Sequence, residues 1–350
     1  MRSPDEGLAM STHLLRLIVA LLLAVPALLI ASPASACACG GIASNDPAAQ
    51  VSQETAIVSM AGRRETIDMR LSMRSVRSDA ALIVPTPAPA TVSAGDSALF
   101  DKYEAISAPR TETRRHWWSR SSDYDGARAG ALPPGSAAGG SGPEVVGRVQ
   151  LGPLDITTLT GGDLTGLQKW LSGNGYQLMP AVSAALAPYV SERWSFVAIK
   201  LTSPNALSGP LDPIRLEFDS DTLVYPMRMS VAATGTQMVD LYVLTDHRQQ
   251  RTDADVSRQQ GHVLYAGRLD DGRYLTTIQT MIIAPQTISS DFVFADAADD
   301  SPYQQVIYKD SDVTIMGVMA GPFLLVAGMI IVVVGIALAG IAIRRHRTAA

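Results

Sequence analysis

VTIMGVMAGPFLLVAGMIIVVVGIALAGIAI, residues 313–343, carries no charged side chain and runs directly into Arg344, Arg345, His346 and Arg347. A helix needs roughly 20 apolar residues to cross a bilayer core, and Pro322 to Ile343 supplies that length on its own. Helix is also the only open-chain form that satisfies its own backbone in lipid. Positive charge just past a span stays on the cytoplasmic side. Arg344, Arg345 and Arg347 therefore read as a cytoplasmic stop, 344–350 as an inner tail, and the bulk of the chain as lying outside the cell membrane. A buried core helix is the competing reading, and the length and the terminal basic cluster speak against it.

The other end of the chain agrees with that topology. Arg2, His13 and Arg16 precede an apolar run from Leu17 to Ile30, and Ala34-Ser35-Ala36 offers small residues for cleavage. This is the three-part grammar of a secretory signal peptide over residues 1–36. An uncleaved anchor competes with it, because Leu14 and Leu15 extend the run. Cleavage after Ala36 leaves Cys37 first in the mature chain, with Cys39 the only other cysteine. An even count in an oxidising compartment favours a local Cys37–Cys39 disulfide, although so tight a ring is strained and readily reduced. Lipidation of Cys37 and a thiol-redox role stay open beside it. Two thiolates alone do not complete the four-ligand shell of structural zinc.

The whole chain has 28 Lys and Arg against 33 Asp and Glu. Leaving out the signal and everything from Val313 onward removes five basic and two acidic residues, so the 37–312 portion stands at about −8. Acidity of that size argues against nucleic acid as a partner. Residues 37–312 are enough for one large domain or two small ones.

The pattern within that portion is mostly strand. Glu54 to Met60 is β-rich, Ala61-Gly62-Arg63 turns it, and Glu65 to Met73 alternates with Ile67, Met69, Leu71 and Met73 on one face. Ala80 to Val84 reads as a short strand stopped by Pro85, Pro87 and Pro89, whose missing amide donors make an extended exit. Ser97 to Ile106 predicts a helix. In Arg110 to Arg120, Trp117 and Trp118 lie among arginines. A lipid-headgroup or polyanion surface is one reading, and a solvated loop whose tryptophans cover the domain is the favoured one. Ser121 to Pro143, rich in Gly, Ala, Ser and Pro, predicts a flexible insertion. Strands are expected at Val145–Leu151 and Ile156–Leu159, then a helix capped by Asp163 with Leu164, Leu167 and Leu171 on one face and Trp170 anchoring the core. Gly173-Asn174-Gly175 ends it in left-handed backbone, Pro180 opens a second helix, and Pro188 closes it. Trp194–Leu201 reads as a central strand, followed by strands at Ile214–Phe218, Leu223–Val231, Met238–Leu244, Val263–Leu269, Tyr274–Ile283 and Phe292–Ala295. Asp270-Asp271-Gly272 marks a hairpin turn, and Pro226 demotes its own strand to an edge or bulge.

Four segments occur in an order that resembles a bacterial family. They are Cys37-x-Cys39-Gly40-Gly41, Pro85-x-Pro87, Trp170-Leu171-x-x-Asn174-Gly175-Tyr176 and Leu223-Val224-Tyr225-Pro226. The family is filed as domain of unknown function 2330, and the likeness covers roughly Cys37 to Ile307. It implies an exported, usually membrane-attached protein and no particular reaction.

Chemistry is sparse. The 37–312 portion holds only His116, His247 and His262, and no zinc-protease, serine-hydrolase or Ser-x-x-Lys motif. A metal between His247, His262, Asp246, Asp253 and Asp255 is outweighed by a solvated loop. Asp219 with Asp221 and Asp299 with Asp300 look like turn residues. The expected class is α+β: a strand-rich extracytoplasmic domain with a few short helices and one C-terminal transmembrane helix over 313–343. The sequence indicates no cofactor. It points to the lipid bilayer as one partner and to an envelope protein or polymer as another, bound by a tethered module. An envelope enzyme, thiol-redox through Cys37 and Cys39 or an unrecognised hydrolase, is the alternative.

Overall fold

The computed structural model describes residues 40–43, 49–118, 143–151, 154–175, 178–202, 207–259 and 261–348. The expected 1–36 signal, Cys37, Cys39, the expected 121–143 insertion apart from Pro143, and Tyr176 lie outside the described residues.

Two sheets form the body. The larger runs Tyr303–Gln304, Gly261–Arg268, Tyr274–Ile282, Gln237–Thr245, Gln50–Ala61, Arg64–Arg74, Ile214–Asp219 and Thr91–Ala94, with Ser208–Pro210 added against Arg64–Arg74. Its pairings are antiparallel except between Gln237–Thr245 and Gln50–Ala61, which run parallel with Leu241 opposite Ala56. The smaller sheet is antiparallel in the order Gly41–Ala43, Asp79–Thr86, Ser195–Thr202, Leu154–Thr160 and Glu144–Leu151. Both expected hairpins form. Ala61 pairs with Arg64 around a two-residue turn in which Gly62 takes φ +61°, the conformation a tight hairpin needs at its first loop position. At the other, the Leu269 amide bonds the Arg273 carbonyl at 2.8 Å around Gly272 at φ +86°.

Several strands are apolar on both faces because both faces are covered. On Asp79–Thr86, residues Ala80, Leu82 and Val84 pack toward the larger sheet, while Ala81 and Ile83 pack against two helices. These are α2 (Leu164–Gly173) and α3 (Pro180–Ser191), which contribute Leu167, Leu171, Val182 and Leu186. On Gln50–Ala61, Ala56 and Val58 point into the inter-sheet core. Ile57 faces the other way, with Tyr242 and Leu244, under Phe100 and Tyr103 of α1 (Ser97–Ser107). (α1 precedes the other two in the chain.) The result is four layers: helix, sheet, sheet, helix pair. Period-2 alternation on Arg64–Arg74 buries Ile67, Met69, Leu71 and Met73, each at 4% exposure or less.

The caps follow the sequence. Asp96 accepts from the Ala98 amide at 2.9 Å and Asp163 from the Gly166 amide at 3.0 Å, satisfying otherwise orphaned donors. Of the left-handed ending expected for α2, only Gly175 adopts it, at φ +86°; Asn174 sits at φ −97° and its Nδ2 donates to the Trp170 carbonyl at 2.8 Å.

Five expectations need correction. Pro188 does not end α3, which continues to Ser191; Tyr189, fully buried, ties the extra turn to the core. Pro85 does not stop its strand, which reaches Thr86 with Pro85 opposite Phe196. Leu223–Val231 is a strand only over Leu223–Tyr225 and then a 3-10 turn over Arg228–Ala232, since Pro226 has no amide for the ladder. Arg110–His116 is no loop but a strand, paired in parallel with Val306–Asp312. Trp170 is only half-buried and packs at the margin of the helix-side core, where Leu171 is the fully buried residue.

The last element is α4 (Ala320–Thr348), which starts later than the expected 313–343 helix because Thr314–Ile315 and Val318–Met319 pair as a hairpin. Its segment Ala320–Arg345 is long and apolar enough to cross a membrane, and none of its most apolar window is buried against the rest of the chain.

Candidate functional site

A third, small sheet of Leu223–Tyr225, Phe292–Asp296 and Gln249–Arg251 contributes Val224 and Val293 to a cleft of about 480 Å³. The cleft opens where the end of α3, the 3-10 turn and the loops around Asp253 and Ser289 meet. Pro87, Trp194, Val224 and Arg228 shape it, with hydroxyls of Ser220, Thr222, Ser289 and Ser290 at its wall.

Arg228 is the organising side chain. Its Nε donates to Asp291 Oδ2 at 2.8 Å, and its two terminal nitrogens reach Glu192 at 2.5 and 2.6 Å. The guanidinium lies 4.2 Å from the centre of the Tyr189 ring, a cation–π contact. Asp291, 6% exposed, also accepts from the Met227 and Arg228 amides at 2.7 and 3.0 Å and from the Tyr189 hydroxyl. A buried carboxylate is tolerable only with such a set of donors. Burial alone would lower the Arg228 pKa, but Glu192 and Asp291 raise it above the ordinary guanidinium range. The Arg228 bond lowers that of Glu192. Burial and the Asp291 carboxylate push the Tyr189 hydroxyl well up. All three hold fixed charge states near neutrality.

Two further groups underlie the cleft. Arg251 donates to both oxygens of Asp253 at 2.9 and 2.8 Å, with its guanidinium 3.4 Å from the Phe292 ring centre. Asp253 lines the cleft, whereas Arg251 lines a second cavity of about 420 Å³, so the pair forms the wall between them. Asp255 is fully buried and accepts from the Ser289 and Ser290 amides at 2.6 and 2.9 Å. Burial would raise its pKa, but these amides, the Ser289 hydroxyl and Arg258 bring it down to about 2. Below the floor, Glu65 is fully buried; its Oε1 accepts from the Val224 amide at 3.1 Å and its Oε2 has no hydrogen-bond partner. Burial pushes its pKa up to about 8, against the smaller pulls of that amide and of the Ser220 hydroxyl. Glu65 is therefore an uncharged acid at neutral pH.

Of these groups, Val224 and Pro87 belong to segments that carry the family resemblance, and Asp253 and Asp255 to the polar stretch between His247 and His262. The solvated-loop reading of Asp253 and Asp255 fails: both are buried, and their partners Ser289 and Ser290 sit more than thirty positions away. His247 is exposed and bonds Asp300 at 3.0 Å, which raises its pKa; His262 lies on the strand Gly261–Arg268. Among the described residues no group of three or more His, Cys, Asp or Glu could hold a metal ion. Asp219 and Asp221 pair with Arg64 and Arg63 at a strand end, as turn residues do. Tyr225 is fully buried between the sheets with its hydroxyl on Glu54, and Pro226 is buried beside it. Leu171 with half-buried Trp170 packs on the opposite face of the smaller sheet. The sequence motifs thus fall in two separate cores. Arg344 and Arg345 are exposed at the end of α4, which also includes Arg347.

Residues 33–295 match a family described as an uncharacterized protein conserved in bacteria, domain of unknown function 2330. The chain belongs to that family. The match takes in the whole cleft and all of the body but the edge strand Tyr303–Gln304, and stops before α4, so the apolar helix lies outside the family region. No curated protein matches the chain. Among solved structures, the crystal structure of baculovirus P35 aligns over 74% of this chain and 98% of its own at 9% identity, with a TM-score of 0.31. A score that low carries no argument about fold or activity.

Proposed function

We propose that the protein is a single-pass, membrane-tethered binding module, exported by its N-terminal signal, with the body outside the cell and the Arg228 cleft as its ligand seat. The observation that carries this is the locked ionic frame of the cleft. A general acid or base works best with a pKa near the operating pH, whereas Arg228, Glu192 and Asp255 all have pKa values moved away from neutrality. Glu65, with a pKa of about 8, is sealed beneath the floor. Fixed charges, an aromatic wall from Trp194 and a row of hydroxyls suit recognition of a polar group on an envelope protein or polymer. Cleavage after Ala36 and an outward body belong to the same reading. They are supported by the signal grammar and by the basic residues in the last turns of α4.

A photoreactive residue placed at Thr222, on the cleft rim, tests the seat in native membranes. Lys102, exposed on α1 in the opposite outer layer, is the control position. A discrete adduct from position 222, lost when Arg228→Met is added and not formed from 102, is the expected result. Equal capture from both positions, or none from 222, contradicts the seat.

A further inference from the structure

The ribbon formed by Arg110–His116 and Val306–Asp312 is exposed along nearly its whole length and leads from the body to α4. At its end the chain does something unusual for a protein in water. Ile315 pairs with Val318 across a two-residue turn in which both Met316 and Gly317 have positive φ, 56° and 80°. Such turns normally carry Asn-Gly or Asp-Gly, because a left-handed conformation disfavours other side chains. Here the first position is methionine, 88% exposed, with Val318 beside it at 52%.

Trp117 and Trp118 meet this hairpin at the first turn of α4. The Gly321 amide donates to the Trp117 carbonyl at 2.7 Å and the Ala320 amide to the Val313 carbonyl at 2.8 Å. A Cβ on Gly321 would lie 2.6 Å from the Trp118 ring and 2.5 Å from the Trp117 oxygen, so only glycine permits the contact. Yet the two indoles are 46% and 56% exposed. They do not cover the body, as the favoured sequence reading expected.

We propose that Trp117, Trp118 and the Met316 hairpin form a collar seated in the headgroup layer of the bilayer, setting the depth of α4 and the stand-off of the body. This rests on the reading of Ala320–Arg345 as a span. Length supports it: Ala320 to Ile343 rises about 36 Å at 1.5 Å per residue, against a hydrocarbon core of about 30 Å. With Arg344 at the inner boundary, Ala320 stands about 6 Å beyond the outer one, within the headgroup layer. Trp is enriched at that level because its ring is amphipathic. The collar surface is continuous with the exposed apolar face of α4, where Leu324, Leu325 and Val326 are about half-exposed.

The test uses the full chain with Trp170→Phe and Trp194→Phe, leaving the two collar indoles as the fluorophores. It is reconstituted in phosphatidylcholine–phosphatidylglycerol vesicles. Lipids brominated near the headgroup should quench the emission strongly, lipids brominated at the chain end weakly, and aqueous acrylamide little. A solvent-like emission quenched by acrylamide and not by brominated lipid, in protein that floats with the vesicles, overturns the collar. In a second arm, Trp117→Ala with Trp118→Ala should leave flotation intact and increase labelling of a cysteine at Leu324 by an impermeant maleimide. Unchanged labelling counts against the collar. Loss of flotation by the unaltered chain would instead sink the span.

Discussion

Glu65 is the sharpest handle on the electrostatics beneath the cleft. Its pKa stands at about 8 in the folded chain against an ordinary 4.5. Between those values the folded state holds a proton that the unfolded state has released, so stability falls as pH rises through the window. Each unit is worth about 1.4 kcal/mol, and the full window about 4–5 kcal/mol. That is a large share of the roughly 5–15 kcal/mol typical of a domain. Glu65→Gln keeps the shape of the neutral acid and the acceptor for the Val224 amide, and cannot ionise. Urea unfolding of the detergent-solubilised chain, followed by tryptophan fluorescence, should show the variant equal to the parent within about 1 kcal/mol at pH 5. By pH 9 the variant should be more stable by several kcal/mol, and other titrating groups cancel in the comparison. A stability difference that is the same at pH 5 and pH 9 would refute the buried, uncharged Glu65.

Arg228→Met leaves Asp291 buried without the guanidinium it pairs with and should cost about 3–5 kcal/mol in the same unfolding assay. Glu192→Gln, at the exposed end of the same guanidinium, should cost less than about 1 kcal/mol. Leu171→Ala, at a fully buried site, should cost about 2–5 kcal/mol. Trp170→Ala should cost about 1–2 kcal/mol, since only part of that side chain leaves water. Gly321→Val should drive the helix start away from Trp118 and shift the emission of the collar tryptophans to longer wavelength without releasing the chain from membranes.

Much of the fold was legible because its signals are local. Alternation on Arg64–Arg74, the cap at Asp163, the turns at Gly62 and Gly272 and the apolar run of α4 each rest on a few adjacent residues. What could not be read is long-range. The parallel pairing of Gln237–Thr245 with Gln50–Ala61 joins segments some 185 positions apart, and no short motif encodes it. The prolines misled for a related reason. Proline weakens a local ladder or helix, but Pro85 is buried on a strand covered on both faces, and exposed Pro188 is followed by Tyr189, whose full burial holds the last turn of the helix. The cleft was the least legible part. Asp253, Asp255, Arg228 and Asp291 look like surface charges in sequence, and only the fold supplies their partners. The visible hint was that Pro87 and Val224, from two of the segments that carried the family resemblance, both line it.

The proposed topology, with the body outside the cell on one span, makes a direct demand on accessibility. Single cysteines at Thr222, on the cleft rim, and at Thr348, past the basic stop, can be placed in a full chain with Cys37 and Cys39 replaced by serine. A membrane-impermeant maleimide applied to intact spheroplasts should label position 222 at once and position 348 only after permeabilisation. Labelling of 348 in intact spheroplasts, or protection of 222 until they are opened, would contradict the proposed topology.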